Sequence, residues 1–560
     1  MFDIKAMKLE NIWPNINFLI DTAKALAIPY KKNYNEPKYI DWLTTKNFDI
    51  EVRRNGNVVI ASWYQFGDEG KGKIASGMKR ADWIAVAAGW GNAGHKVKVL
   101  NKNTGQYKEI TFHELPWWAV VEKAKVYIGK GRSIRIPNLV KETNELDKIG
   151  HNTKGKITVA WHAHVNLESL HGFLDLFIEK LKGKNGVWST LQGIGPLYAT
   201  KALRTWININ TLIGSPNKTE EENKAEIKRL VKLNVNLLLN PNPKIIEEIR
   251  NEYKDKWVSH EQIKQEIQTA QQETDTVWKN KFVDTIYAEA LESRQQLLEQ
   301  INKGTISIDT TSTLMRDEAH ANKKIFVECS QSNLLSSEST WYPFVTSSDT
   351  SVNGVRSALF LPEIATSIGT VKIAKSKVGN GPFPTKIEGE DVKQFAVATD
   401  EKGWTTERPR DLWHIDLVEL IHVIKSQQTD MLLFNKVDLL ARFCKEVEPL
   451  KICIAYKDTK TGEEYTDTLP AHRENIESIY SEKTYNIQEE IDGIKDEKQL
   501  PKIYKEFFDD IVKRLNFKWN ILLGTWPKED DKIVYSAARK IENRKDAVLY
   551  AKNALRNILR

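Results

Sequence analysis

The run 57-NVVIASWYQFGDEGKGKI-74 decides how this chain is read. Its first half is an apolar, β-branched strand pattern, and its second half packs three glycines, two lysines and two acids into a turn before a helical pattern. Glycines let backbone amides approach a bound group, lysines supply positive charge and a helix N-terminus adds its dipole, so an anion such as phosphate is the natural ligand. Asp68 and Glu69 do not fit that picture alone. Beside a phosphate they repel, unless a metal ion bridges them or one takes a proton from a substrate.

Working outward, short β-branched runs at 83-WIAVAAG-89, 125-KVYIG-129 and 156-KITVAW-161 alternate with helical patterns such as 168-ESLHGFLDLFIEKLK-182. The alternation predicts an α/β domain with a largely parallel sheet. It returns at 324-KIFVECS-330 and continues through 430-DMLLFNKVDLL-440 and 450-LKICIAYK-457 to 518-KWNILLGTW-526. Between the two stretches, residues 215–321 read as a charged helical insertion. Thr219 with Glu222 and Ser259 with Gln262 form capping-box patterns, and Ile263, Ile267, Val277, Phe282, Ile286 and Leu297 keep helical spacing. Five segments follow: an extension at 1–55, the core at 56–214, the insertion at 215–321, the core again at 322–536 and a basic amphipathic helix at 537–560.

The chain has 560 residues, 28% of them charged, and a net charge of +7. That balance permits anionic ligands without indicating nucleic acid. No run approaches the ~18 apolar residues of a membrane span, and MFDIKAMKLENIW lacks a signal-peptide core, so a cytoplasmic location is expected. Cys329, Cys444 and Cys453 show no metal-ligand spacing and fit a reducing compartment. His162, His164 and His171 lack a carboxylate or cysteine to complete a zinc site and are read as structural. Cys329 is read as a buried small residue, and the basic tail as a solvated helix docked on the body.

Gly67, Gly72 and Lys73 match the leading positions of a P-loop, with Ile74 where a magnesium-binding Ser or Thr would stand. Independently, 435-NKVD-438 follows the strand-like MLLF run, as guanine readers do. A carboxylate there accepts from guanine N1–H and the 2-amino group, a pair adenine does not offer. Together the two motifs point to GTP.

In order along the chain, 65-QFGDEGKGK-73, 92-NAGH-95, 193-GIGPLYATKALR-204, 342-YPFVTSS-348, 378-VGNGPFPTK-386, 405-TTERPR-410 and 436-KVDLL-440 resemble adenylosuccinate synthetase. The resemblance implies one large α/β domain around a central, mainly parallel sheet, working as a homodimer. It implies a ligase that joins L-aspartate to IMP with GTP and Mg²⁺, giving adenylosuccinate, GDP and phosphate. Asp68 matches the base that removes the N1 proton of IMP, so that the 6-oxygen attacks the γ-phosphate; His95 matches the donor to the transferring phosphoryl, Lys71 the loop lysine, and Gln331 a nucleotide-binding group at the chemistry. Mg²⁺ would be held by Asp68 and the carbonyl of Gly94. GTP would lie against Gly67, Glu69, Gly70, Lys71, Gly72 and Lys73, with its base on Lys436 and Asp438 and Gly524 on the other face. The IMP site maps to Asp68, Asn92, Thr190, Gln331, Thr346 and Arg408, with Arg204 reaching the 5′-phosphate across the dimer interface. The aspartate loop maps to Thr405, Thr406, Arg408 and Arg410, whose two arginines match two carboxylates.

Departures from the family pattern are specific. The family's G-G-H-N-A-G-H reads 89-GWGNAGH-95, its E-G-A-Q-G reads 328-ECSQS-332, and its T-T-G-R-P-R-R reads 405-TTERPRD-411. Cys329 and Ser332 replace glycines, and Glu407 and Asp411 bring negative charge that would repel a dicarboxylate at close range. They open two other readings: a relative using another 6-oxopurine nucleotide or amino acid, in phage-related or defence metabolism, and a GTP-binding interaction module. A phage family acting on dGMP changes the base equivalent to Asp68; its presence here argues for an IMP-like purine.

Overall fold

The computed structural model describes residues 38–39, 51–52, 57–66, 81–87, 89, 94–183, 189–238, 275–361, 366–377, 384–399, 401, 410–470, 473, 475–517, 521–525 and 532–535. At its centre is a ten-stranded sheet. In chain order its strands are β1 (Val58–Trp63), β2 (Trp83–Ala87), β3 (Lys125–Ile128), β4 (Ile157–Ala160), β5 (Ile306–Asp309), β6 (Ile325–Ser332), β7 (Thr366–Lys372), β8 (Met431–Asn435), β9 (Ile521–Gly524) and β10 (Lys532–Tyr535). In space the order is β5-β4-β3-β2-β6-β1-β7-β8-β9-β10, with every pairing parallel except β9 with β10.

Every residue of β6 and β7, and all but the last of β1, are buried. Covered on both faces, these strands read as nearly continuous apolar runs, as central parallel strands do. One face of β2 to β5 packs on helices α1 (Ile136–Lys148), α2 (Phe173–Lys182), α4 (Ile209–Ile213), α5 (Glu220–Leu238) and α6 (Asp275–Asn302), while α3 (Ile194–Ala202) packs on α2; Leu139, Leu146, Ile227, Val231, Phe282, Ile286 and Leu297 share that core. The other half of the sheet packs on α9 (Glu390–Ala398), α10 (Leu417–Gln427), α11 (Leu440–Glu446) and α12 (Lys502–Leu515) through Phe395, Val423, Phe443, Phe508 and Ile511. Helices α7 (Leu314–His320) and α8 (Val352–Leu359) contribute Met315, Val355 and Leu359 to a third cluster beneath β1, β2 and β6.

The expected α/β class with a mainly parallel sheet is therefore present, and the expected helical spacing of Phe282, Ile286 and Leu297 buries all three. The Thr219 capping box forms in both directions, at 3.2 Å to the Glu222 amide and 2.7 Å back to the Thr219 amide. The second box, Ser259 with Gln262, lies outside the described residues, as do Ile263, Ile267 and the tail 537–560. Two features differ from the sequence reading. The span 215–321, read as helical, also supplies β5, the edge strand of the central sheet, with Ile306 level with Ile157. The strand Ile452–Asp458 lies outside the central sheet, in a small sheet with Ile415–Asp416, Glu464–Tyr465 and Ile476–Tyr480. Among the described residues of 1–55, Lys38–Tyr39 pair antiparallel with Glu51–Val52.

One contact fixes how β1 hands over to the turn that follows it. A Cβ on Gly369 of β7 would lie 2.1 Å from the Tyr64 ring, so the ring lies directly on the bare backbone of β7. The Tyr64 hydroxyl meets Ser367 at 3.2 Å and Thr429 at 2.5 Å. Gly369→Ala should cost about 1–3 kcal/mol, the range for overpacking a filled core. Urea unfolding measures it, and a midpoint equal to that of the parent would show that ring and strand do not meet.

Candidate active site

In an open α/β sheet the crevice lies beyond the carboxyl ends of the strands, where neighbouring strands continue to opposite sides. Here that place is the end of β1, between β6 and β7. Gly67 to Lys73 follow β1 directly, Gly94 and His95 follow β2, Gln331 sits at the end of β6, Lys436 and Asp438 follow β8, and Gly524 ends β9. The topology thus carries Gln331, Lys436 and Gly524 to one rim with Phe66, after which the phosphate-loop candidates follow in sequence. Gly67, Asp68, Glu69, Gly70, Lys71, Gly72, Lys73, Asn92, Thr405, Thr406 and Arg408 lie outside the described residues, and of His95 only the backbone is described.

Beyond β2 the backbone turns through Gly89 at φ +66°, and a Cβ there would stand 2.9 Å from the Gln331 Oε1 and 3.2 Å from the Ser348 Oγ. A side chain would push Gln331 away. Ser348 donates to Gln331 at 3.4 Å, the Gly89 amide donates to the Tyr198 hydroxyl at 2.9 Å, and that hydroxyl donates to the Gly131 carbonyl at 2.5 Å. Tyr198 lies on α3, so the GIGPLYATKALR segment is tied to the ends of β2 and β3. A Cβ on Gly195 would lie 3.2 Å from Ser347, which places the helix against the segment that carries Thr346. Thr190 sits in a turn fixed by Asp175, which accepts from the Ser189 hydroxyl and the Gly193 amide at 2.9 Å each. Gln331, Thr346 and the start of α3 are thereby brought together. Arg204 is exposed at the far end of α3 with φ +61°, beside Leu203 at 49% exposure.

Gly94 and His95 enter a hairpin, His95–Leu100 with Tyr107–Phe112. A Cβ on Gly94 would stand 3.0 Å from the His113 ring and 3.3 Å from Thr111, so the turn is tightly packed here and has little room for a side chain. The turn behind it is held by charge. Glu142 accepts from the amides of His113, Glu114 and Leu115 at 2.6, 3.0 and 2.8 Å, and buried Arg132 donates to the carbonyls of His113 and Glu114 at 3.1 and 2.7 Å. Burial pushes the Glu142 carboxyl up to about 7 against the pull of those amides, and that of Glu114 to about 8 against the pull of Arg132.

At the guanine end, Lys436 adopts the left-handed conformation at φ +59° as the chain leaves β8, and Asp438 lies in the following turn. Phe434 of β8 is level with Leu523 of β9, so Gly524 lies at the same height as the start of the reader. Lys436 is paired with Glu401, a residue with no motif in the sequence. The Glu401 carboxylate also meets Lys372 at 2.7 Å, the Ser376 hydroxyl at 2.9 Å and Arg410 at 3.4 Å. Its side chain is 3% exposed. Burial would raise its pKa, but Lys372, Lys436 and Arg410 together hold it well below the usual carboxylate range. One carboxylate thus joins the guanine candidate Lys436 to the aspartate-loop candidate Arg410.

The departures have visible partners. Ser332 donates its hydroxyl to the carbonyl of Gln65, whose side chain accepts from the Lys372 amide at 2.9 Å, and Cys329 is fully buried. Asp411, expected to repel a dicarboxylate, is paired with Lys386 at 3.3 Å. The three histidines have local roles. His171 accepts from the Leu167 amide at 3.0 Å, His162 stacks on Trp161 at 3.5 Å, and burial lowers the pKa of His164 to about 3. Sequence reasoning missed Glu401, Arg132, Tyr198 and Ser348. Tyr198 and Ser348 lie within the quoted stretches 193-GIGPLYATKALR-204 and 342-YPFVTSS-348, Arg132 in the glycine-bracketed 129-GKGRS-133 after a strand, and Glu401 in no motif.

The sequence profile of the family described as adenylosuccinate synthetase matches residues 58–533. An adenylosuccinate synthetase of Caldicellulosiruptor bescii is 29% identical over 478 residues, covering 84% of this chain and 97% of that protein. One from Helicobacter hepaticus is 28% identical over 479 residues, covering 84% and 98%. The structure of a fully ligated adenylosuccinate synthetase from Plasmodium falciparum superposes with a TM-score of 0.66 at 27% identity, covering 86% of this chain and 100% of that one. With the whole span from β1 into β10 matched, and nearly the full length of these relatives covered, the chain belongs to the adenylosuccinate synthetase family.

Proposed function

We propose that this protein joins L-aspartate to IMP at the expense of GTP, giving adenylosuccinate, GDP and phosphate. The observation that supports the reading is the shared rim: Phe66, which the phosphate-loop candidates follow in sequence, Gln331 and Lys436 all lie at the carboxyl ends of the central strands. In this reading Asp68 takes the N1 proton of IMP, which leaves negative charge on the 6-oxygen. That oxygen attacks the γ-phosphorus and GDP departs, while Lys71 and His95 donate to the transferring phosphoryl. The aspartate amine then adds at C6 and phosphate leaves with the 6-oxygen. Gln331, held by Ser348 and by the bare backbone of Gly89, orients the purine.

One carboxylate (Asp68), one backbone carbonyl (Gly94) and phosphate oxygens would form the all-oxygen set that a hard cation such as Mg²⁺ takes. The ion would neutralise phosphate charge and relieve the repulsion from Asp68. Thr405, Thr406, Arg408 and Arg410 would hold the amino acid, and Asn92, Thr190 and Thr346 the nucleotide. Exposed Arg204, with Leu203 beside it, suits a residue that completes the site of a second copy in a homodimer.

A second reading, another 6-oxopurine or amino acid, is favoured by Ser332 standing where the family has glycine, with its hydroxyl on the carbonyl of Gln65. Assays with GTP, Mg²⁺ and aspartate, offering IMP, dIMP, GMP or dGMP in turn, separate the readings through the purine ultraviolet shift and phosphate release. Turnover with IMP is expected; GTP binding without ligation of any purine would overturn both readings. Asp68→Asn should bind GTP and lose turnover by about 10²–10⁴-fold, the share of a general base, and a near-normal rate would remove Asp68 from that role. Glu401→Gln leaves three cations facing one another. It should cost about 3–5 kcal/mol of stability and raise KM for both GTP and aspartate, and a change in neither KM would refute its link between the two sites.

A further inference from the structure

At the amino ends of β3 and β4, opposite the rim just described, three turns close around a cavity of about 350 Å³. It is lined by Lys102, Lys123, Lys125, Lys154, Lys156 and His151, with Glu122 as the one acid. The frame is fixed by backbone. The Lys102 amide donates to Ile149 at 2.9 Å, Val126 to Lys156 at 2.8 Å, and Gly155 to Gly304 at 2.8 Å. Lys156 forms the floor, buried, with its ammonium on the carbonyls of Ala119 and Val121. Lys102 pairs with Glu122, which consumes the only carboxylate in the lining. The ammonium groups of Lys123 and Lys154 make no hydrogen bond or ion pair among the described residues, and both side chains are exposed.

We propose that this cavity is a second anion site, which takes a di- or triphosphate group, either free or as the tail of a nucleotide. Lys123 with Lys125 from one segment and Lys154 from another bring ammonium groups that no acid in the lining neutralises, and ammonium groups bind phosphate as compact point charges. The volume lies at the small end of ligand cavities, about 300–1,000 Å³, which suits a compact polyanion. Burial first, and then the neighbouring Lys102, lower the pKa of Lys156 to about 8. β3 has four residues, which at about 3.3 Å each puts the cavity a strand length from the rim, so it is separate from the proposed GTP site.

The test is calorimetric titration of the full chain with inorganic tripolyphosphate and, separately, with ATP, comparing the parent with Lys123→Glu/Lys154→Glu. Both positions are exposed, so the variant should fold and keep the parent's ligase rate. A tripolyphosphate site present in the parent and weakened tenfold or more in the double variant, but unchanged in Lys436→Ala, supports the proposal. If the double variant also weakens ATP the ligand is a nucleotide tail; if not, it is a free polyphosphate. Equal binding by the parent and the double variant, or loss of the site in Lys436→Ala, overturns it.

Discussion

Everything at the rim depends on β1 being hydrogen-bonded on both sides to strands from much later in the chain. It pairs Val58 with Ile325 on one side and Val59 with Thr366 on the other. That arrangement demands a strand that can be buried on both faces, and VVIAS meets the demand with five consecutive buried residues, of which only Ser62 is polar. Once β1 is wedged there, its carboxyl end lies between β6 and β7, the kind of place an open sheet offers a ligand. Phe66 itself is held by the Trp341 ring at 5.4 Å, edge to face.

Around this frame the protein buries an unusual amount of charge, and each buried set lies behind a turn that leads to the rim. Arg132 with Glu114 and Glu142 backs the Gly94 hairpin, Glu401 backs Lys436 and Arg410, and Lys375 with Glu419 and Asp416 lies under Phe66. Buried ion pairs contribute little net stability, because desolvation offsets their attraction. Their effect is geometric: a guanidinium or carboxylate that must satisfy several partners tolerates one placement. The Glu401 set takes this furthest, since one carboxylate holds three cations, Lys372, Lys436 and Arg410, at once.

What the sequence made legible follows from range. Contacts within one element show themselves locally: the apolar run of β1, the Thr219 capping box and the spacing of Phe282 and Ile286 each need only neighbours a few positions apart. The rim was readable because its pieces are short motifs at strand ends. Glu401 was not, since its partners Lys372, Arg410 and Lys436 meet only after β7 and β8 have paired. For β5 the obstacle is different. Ile306-Ser307-Ile308-Asp309 is a half-exposed edge strand with weak alternation, set after a 28-residue helix that dominates its surroundings. Ile452–Asp458 had the right strand pattern, but sheet membership is decided by what pairs with it, and Ile476–Tyr480 does.

The departures from the family pattern gain meaning from their partners. A carboxylate at 411 would be costly near a dicarboxylate if it were free, yet Lys386 lies beside it and offsets the charge. A serine at 332 would crowd a ligand if it pointed outward, yet its hydroxyl turns back to the Gln65 carbonyl, two residues before Gly67. Gln65 in turn binds the Lys372 amide, and the Lys372 ammonium binds Glu401. Ser332 is therefore connected, through Gln65 and Lys372, to the carboxylate that pairs with Lys436. The glycine that the family pattern places there has no hydroxyl to make that connection, so the substitution adds a tether at Gln65, the residue before Phe66.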